Sequence, residues 1–258
     1  MSLSTQHRQE VWEKFWDQNK PIQEVYSNAE RILQQIRALG PVTGKLIMEV
    51  GAGSGRDGLQ LAREGAQVLF LDYAENALRL IQAPARAAGL NVLLIRADAF
   101  RLPLKSDALD LVFHQGLLEH FTHPQGIVEE NQRVIKSGGH VIADVPHRYH
   151  VYTLVKHILI VLNKWFAGWE TEFSRPQLES LFRSAGLVPS GFYGDWMRLS
   201  FFYRVCRQVL KKAGINLPLY PRTIPVVHTL RRIVRNGLRR IRLGQWTFMD
   251  IGVIGTKP

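Results

Sequence analysis

The sequence predicts an α/β fold, a doubly wound domain built on a seven-stranded sheet with helical insertions after strands five and six. Three observations carry this. Short apolar runs recur between helical segments from residue 46 onward. Three glycines cluster directly after the first run, and the regular alternation breaks only after the fifth. Strands alternating with helices imply right-handed βαβ units and a parallel sheet. At 258 residues the chain is near the upper size of a single core, so one domain with elaborations is expected over 1–258.

Residues 46–50 (LIMEV) read as the first buried strand and 55–64 as the helix after it. Residues 67–71 (QVLFL) give a second strand, followed by a helix over 75–88. Strands at 91–95 and 109–113, a helix at about 124–136 and a fifth strand at 139–145 continue the pattern. Residues 151–169 are apolar but broken by Lys156, His157, Asn163 and Lys164. A helix resumes over 176–185, with Ser174 as its N-cap and Gly186 as its stop. Residues 187–193 supply the sixth strand and 246–254 close the chain as β structure. The expected organisation is an N-terminal helical cap (1–40), a core (41–147, 170–195 and 245–258), an apolar insertion (148–169) and a basic insertion (196–244).

Charge is divided along the chain. Residues 1–147 hold 15 Lys/Arg against 17 Asp/Glu, whereas 148–258 hold 18 against 5. No acidic residue lies between Asp195 and Asp250, and so concentrated a positive field draws anionic partners. Within the stretch, Phe202, Val205, Cys206, Val209 and Leu210 recur at helical spacing opposite Arg204, Arg207, Lys211 and Lys212. One cysteine excludes an internal disulfide framework and fits a reducing, cytoplasmic setting. The polar N-terminal segment lacks the apolar centre of a signal peptide, and no run reaches the length of a membrane span.

The strongest chemical signal is Glu49-Val50-Gly51-Ala52-Gly53-Ser54-Gly55 at a strand-to-helix turn. Glycines there permit positive φ and remove Cβ atoms, so a ligand can lie against backbone at a helix N-terminus. Asp72 ends the second strand, where an acid can accept bonds from both hydroxyls of a ribose. These features leave a nicotinamide dinucleotide open, and Gly53–Gly58 also fits GxGxxG, although it starts late relative to the strand end.

The next turns separate the readings. EVGAGSG, Asp72-Tyr73, the run from Arg96 to Leu104, Asp107–Val112, His114–Phe121 and Arg133–Gly139 follow one another as in the class I S-adenosylmethionine (SAM)-dependent methyltransferases. The sequence resembles that family, in its small-molecule, lipid and quinone branch, over most of residues 42–195. The resemblance implies a Rossmann-like sheet and SAM as cofactor. It assigns Glu49, Gly51, Ala52, Gly53 and Gly55 to the methionine side, Asp72 to the ribose and Tyr73 to the adenine face. Asp98 and the Ala99 backbone would read the adenine edge, and Gln115 and Gly116 would pass along the methionine end. Trp12, Phe15, Trp16 and Tyr26 resemble aromatic caps that close such sites, though core packing explains them equally well. Some relatives carry Glu-x-x-Glu-His after strand four and bind a divalent metal. Here Gly116 replaces the first glutamate, leaving Glu119 and His120, so no metal is expected.

Methyl transfer from a sulfonium is an in-line displacement that asks mainly for positioning, with a base where the acceptor carries a proton. His147, directly after strand five, is the foremost candidate base and His120 the next; Tyr149, His150, Glu119 and Tyr193 lie behind them. Insertions after strands five and six should roof the acceptor pocket. Leu154, Val155, Ile158, Leu159, Val161, Leu162, Trp165 and Phe166 form an apolar roof suited to a lipid-like or aromatic acceptor, or to a membrane surface. The arginines of 231–242 suit anionic headgroups. The leading expectation is methyl transfer to a small-molecule, lipid-like or glycan acceptor by an enzyme of the cytoplasm or its membrane face. An RNA methyltransferase and a SAM-binding module without activity are the alternatives. Nucleic acid is the weaker partner, because 226–243 interleaves arginine with aliphatics and contains no aromatic residue.

Overall fold

The computed structural model describes residues 3–17, 30–162, 170–196, 201–218 and 245–258, with 229, 233–235, 237, 238 and 241 between the last two segments. The arginine pairs at 231–232 and 239–240, and Trp165 and Phe166, lie outside the described residues.

Seven strands form one sheet in the order β3-β2-β1-β4-β5-β7-β6. They are β1 (Leu46–Val50), β2 (Gln67–Asp72), β3 (Val92–Arg96), β4 (Leu109–Gln115), β5 (Ile135–Pro146), β6 (Val188–Asp195) and β7 (Asp250–Thr256). Neighbours pair in parallel from β3 to β5, and β7 runs antiparallel to both β5 and β6. The reversal has a simple cause. Asp250 pairs with Pro146 and with Asp195, so the chain re-enters the sheet at the edge where β6 left it. The basic stretch therefore begins and ends at the carboxyl edge. The final strand starts later than the expected 246, because Phe248 is buried ahead of it in a turn.

Strand periodicity assigns the core. Ile47, Val68, Phe70, Leu111, Phe113 and Ile142 face one layer of helices: α2 (Arg31–Ala38), α3 (Arg56–Arg63) and α4 (Glu75–Ala87). Met48, Val50, Leu69, Leu71, Val112 and Val141 face the other layer, α5 (Gln125–Val134) and α7 (Arg175–Ser184). The start of α7 is built as expected: the Gln177 side chain accepts from the Ser174 N–H at 3.0 Å.

Two helices stand outside these layers. Helix α1 (Leu3–Asp17) contacts α4, and α6 (Val151–Val161) follows β5. The expected apolar roof is corrected here. Helix α6 buries Thr153 and Lys156 and turns Leu154 (64% exposed), Ile158 (53%) and Val161 (81%) outward. The cause is an internal ion pair that draws Lys156 inward, described below. The basic helix α8 (Phe201–Lys212) likewise leaves Cys206 and Val209 exposed. Among the described residues, no helix is long and apolar enough to cross a membrane.

Candidate functional site

The glycine loop connects β1 to α3. Gly51, Gly53 and Gly55 have φ of 62°, 51° and 62°, a left-handed conformation that side chains disfavour. The loop is also walled. A Cβ on Gly51 would lie 2.8 Å from Leu117 Cδ1, and one on Gly53 would lie 2.6 Å from Trp16 Cζ2. The Ala52 N–H donates to Leu71 O at 3.1 Å, tying the loop to β2. Asp72 spans the next gap, its Oδ2 accepting from the Gly53 N–H and its Oδ1 from the Ala74 N–H, each at 2.9 Å. Burial raises the Asp72 pKa, and those N–H groups oppose the rise. Glu49 lies behind the loop, where its Oε2 accepts from the Gly58 N–H at 3.0 Å. Burial and the nearby Asp57 push its carboxyl well above the ordinary range, so Glu49 holds the start of α3.

The remaining residues assigned by resemblance stand on the same edge. Tyr73 follows β2 and is half-buried, while Asp98 and Ala99 follow β3. Asp98 Oδ1 accepts from the Phe100 N–H at 3.0 Å. The Ala99 N–H finds no acceptor among the described residues, as reading a ligand nitrogen requires. Gln115 and Gly116 end β4, and the Gly116 N–H donates to Asp144 O at 2.9 Å. The carboxyl ends of four neighbouring strands thus bring the whole set together.

Helix α1 lies over this edge. Trp16 covers Gly53, and the Trp12 ring meets the His120 ring edge-on at 4.8 Å. Glu13 caps α4 from outside: its carboxylate accepts from the Glu75 N–H at 2.8 Å and the Asn76 N–H at 3.1 Å. Sequence reasoning found the aromatics and missed Glu13. The available signal was Ala74, a residue without a capping side chain, before α4.

The candidate bases lie beyond β4 and β5. His147 Nδ1 is 3.1 Å from Phe248 O, and because a carbonyl only accepts, the ring proton sits on Nδ1. Burial lowers the His147 pKa and the Phe248 carbonyl partly restores it, leaving a neutral ring at pH 7. His150 is a helix cap, its Nδ1 accepting from the Tyr152 N–H at 3.1 Å. Tyr149 is exposed and stacks on Trp246 with centroids 4.7 Å apart. His120 Nδ1 stands 3.8 Å from Glu170 Oε1.

The sequence did not single out the charged cluster beneath α6. Lys156 Nζ, 1% exposed, lies 2.7 Å from Glu170 Oε2 and 2.8 Å from Glu172 Oε1. Burial alone would favour its neutral form, but the two carboxylates outweigh burial and raise its pKa. His157 Nε2 meets the other Glu172 oxygen at 2.8 Å. Beside the cluster, Arg31 of α2 donates to both Asp144 oxygens, at 2.8 and 2.5 Å, and reaches Asp250 at 3.1 Å. Among the described residues, no group of three or more His, Cys, Asp or Glu is placed to hold a metal ion.

Comparison with known proteins bears on the family and the fold. A family model described as a methyltransferase domain matches residues 48–143. The chain is similar to a ubiquinone biosynthesis O-methyltransferase of Ralstonia nicotianae, 29% identical over 195 residues, covering 72% of this chain and 80% of that protein. It is 35% identical over 107 residues to a demethylmenaquinone methyltransferase of Clavibacter sepedonicus, covering 41% and 43% of the two chains. The crystal structure of an S-adenosylmethionine-dependent methyltransferase from Mesorhizobium loti has the same fold, with a TM-score of 0.60 at 17% identity, covering 90% of this chain and 99% of that one.

Proposed function

We propose that this chain, which belongs to the class I SAM-dependent methyltransferases, methylates a hydroxyl on the ring of a lipid-like, quinone-type acceptor at a membrane surface. The observation that carries the reading is α6, which stands at the acceptor end of the sheet and turns its aliphatic face outward. The names of the relatives from Ralstonia and Clavibacter point to the same acceptor class.

Bound SAM supplies an electrophilic methyl group on a sulfonium. The glycine loop, Asp72, Asp98 and the Ala99 N–H would hold its two ends, and Trp12 and Trp16 would exclude water above it. The acceptor ring would enter from the side of β5, past the stacked Tyr149 and Trp246. Its tail would stay among the aliphatics of α6, close to the leaflet that the basic segment favours.

Transfer of label from methyl-labelled SAM tests this, with vesicles carrying a prenylated catechol and, separately, with RNA as acceptor. Label on the catechol is the expected result. Label on RNA alone would overturn the reading in favour of the basic stretch as a nucleic-acid surface.

A further inference from the structure

We propose that Glu119 is the base that receives the proton of the acceptor hydroxyl. The proposal rests on the reading of the acceptor as a hydroxylated ring.

Placement is the first argument. Glu119 lies in the short helical turn Leu118–His120, directly after β4, and Leu117 of the same segment walls Gly51. Residue 116 has no side chain, and a Cβ there would stand 3.5 Å from Glu119 Oε1. Gly116 thus leaves room in front of Glu119 Oε1 that a side chain would fill. Trp12 closes the opposite side by packing on His120. His147 follows β5, which lies one strand farther from β1 and its loop than β4 does.

The second argument is the state of the carboxylate. Glu119 is 4% exposed, and its Oε2 is buried without a hydrogen-bond partner among the described residues. A buried polar atom left unsatisfied calls for an explanation, and an incoming hydroxyl is one. The charged groups around it are Glu170, Lys156 of α6 and Asp250 of β7, with His120 on its own turn. Burial first, then Glu170 and Asp250, push its carboxyl well above the ordinary range, against the pull of Lys156. A carboxylate held above its ordinary range is a stronger base towards a phenol than a free one.

The step balances. The acceptor oxygen bonds to the methyl carbon and displaces sulfur, which keeps the electron pair of the old bond. The hydroxyl proton passes to Glu119 Oε2.

The test compares wild type with Glu119→Gln on a prenylated catechol, following kcat against pH, SAM affinity by calorimetry and the infrared band of protonated carboxyls. In wild type, kcat should rise with pH above the ordinary carboxylate range. In Glu119→Gln it should fall by about 10²- to 10⁴-fold and lose that pH limb, while SAM affinity stays within about twofold. The infrared band should lose one titrating carboxyl, a readout that needs no turnover. If Glu119→Gln does not bind SAM, Glu119→Asp replaces it and should keep the limb at reduced kcat. An unchanged kcat, an unchanged pH limb or an unchanged carboxyl band would overturn the proposal. Wild type that shows the carboxyl band but methylates no hydroxylated ring would overturn the function proposed above instead.

Discussion

Helices α2 and α6 are fastened to the fold in different proportions by apolar area and by charge. Helix α2 buries Ile32, Leu33 and Ile36 and sets its first residue, Arg31, against Asp144 and Asp250. Helix α6 buries Thr153 and Lys156 and leaves Leu154, Ile158 and Val161 outside. The first adds three buried aliphatic side chains to its ion pairs, whereas the second relies on a lysine between two carboxylates. A helix fastened by charge has an apolar face to spare. That face is an idle liability in water and an asset at a bilayer.

The comparison breaks most readily at Lys156. Replacing it with Met leaves Glu170 and Glu172 buried without their cation, and unfolding stability should fall by about 3–5 kcal/mol. Urea denaturation measures this; a loss under about 1 kcal/mol would mean that the ion pair does not fasten α6. The apolar counterpart is Leu33→Ala, which opens a cavity beneath α2 and should cost about 2–5 kcal/mol. Loss of stability there with vesicle binding unchanged would confirm that the two helices do different work.

Acid tests a different part of the fold, a buried histidine of β4. His114 of β4 is fully buried, neither ring nitrogen has a partner among the described residues, and burial holds its pKa at about 3. The unfolded chain binds that proton near pH 6.5 and the folded chain does not. Stability therefore falls with acid, by about 1.4 kcal/mol per pH unit between roughly 6.5 and 3. His114→Leu should flatten that slope in pH-dependent denaturation. An unflattened slope would place the acid sensitivity elsewhere.

How much was legible in the sequence follows the same division. Strands one to five, the glycine loop and the Ser174 cap were legible because their signals are local: an apolar run, three glycines, and a glutamine three residues after a serine. The orientation of α6 was not legible. Its apolar residues outnumber its polar ones, and what turns it over is Glu170, fourteen residues away across a separate segment. Glu119 was readable as a candidate base, but its isolation inside the fold is a tertiary property. The start of β7 was misplaced because Trp246, Thr247 and Phe248 have strand propensity, yet they form the turn that buries Phe248.

The smallest expected change in stability belongs to the outer face of α6, and it gives the most direct measurement of the central claim. Leu154→Ser, Ile158→Ser and Val161→Ser, made together, should each alter stability by no more than about 0.5 kcal/mol, because the side chains are exposed. Co-sedimentation with anionic vesicles across a salt series is the measurement. Wild type should bind more as anionic lipid increases and keep part of its binding at high salt, since buried apolar area is not screened. The triple variant should lose the salt-resistant part and keep the salt-sensitive part. Equal salt-resistant binding by the two proteins would contradict the claim that α6 faces the bilayer.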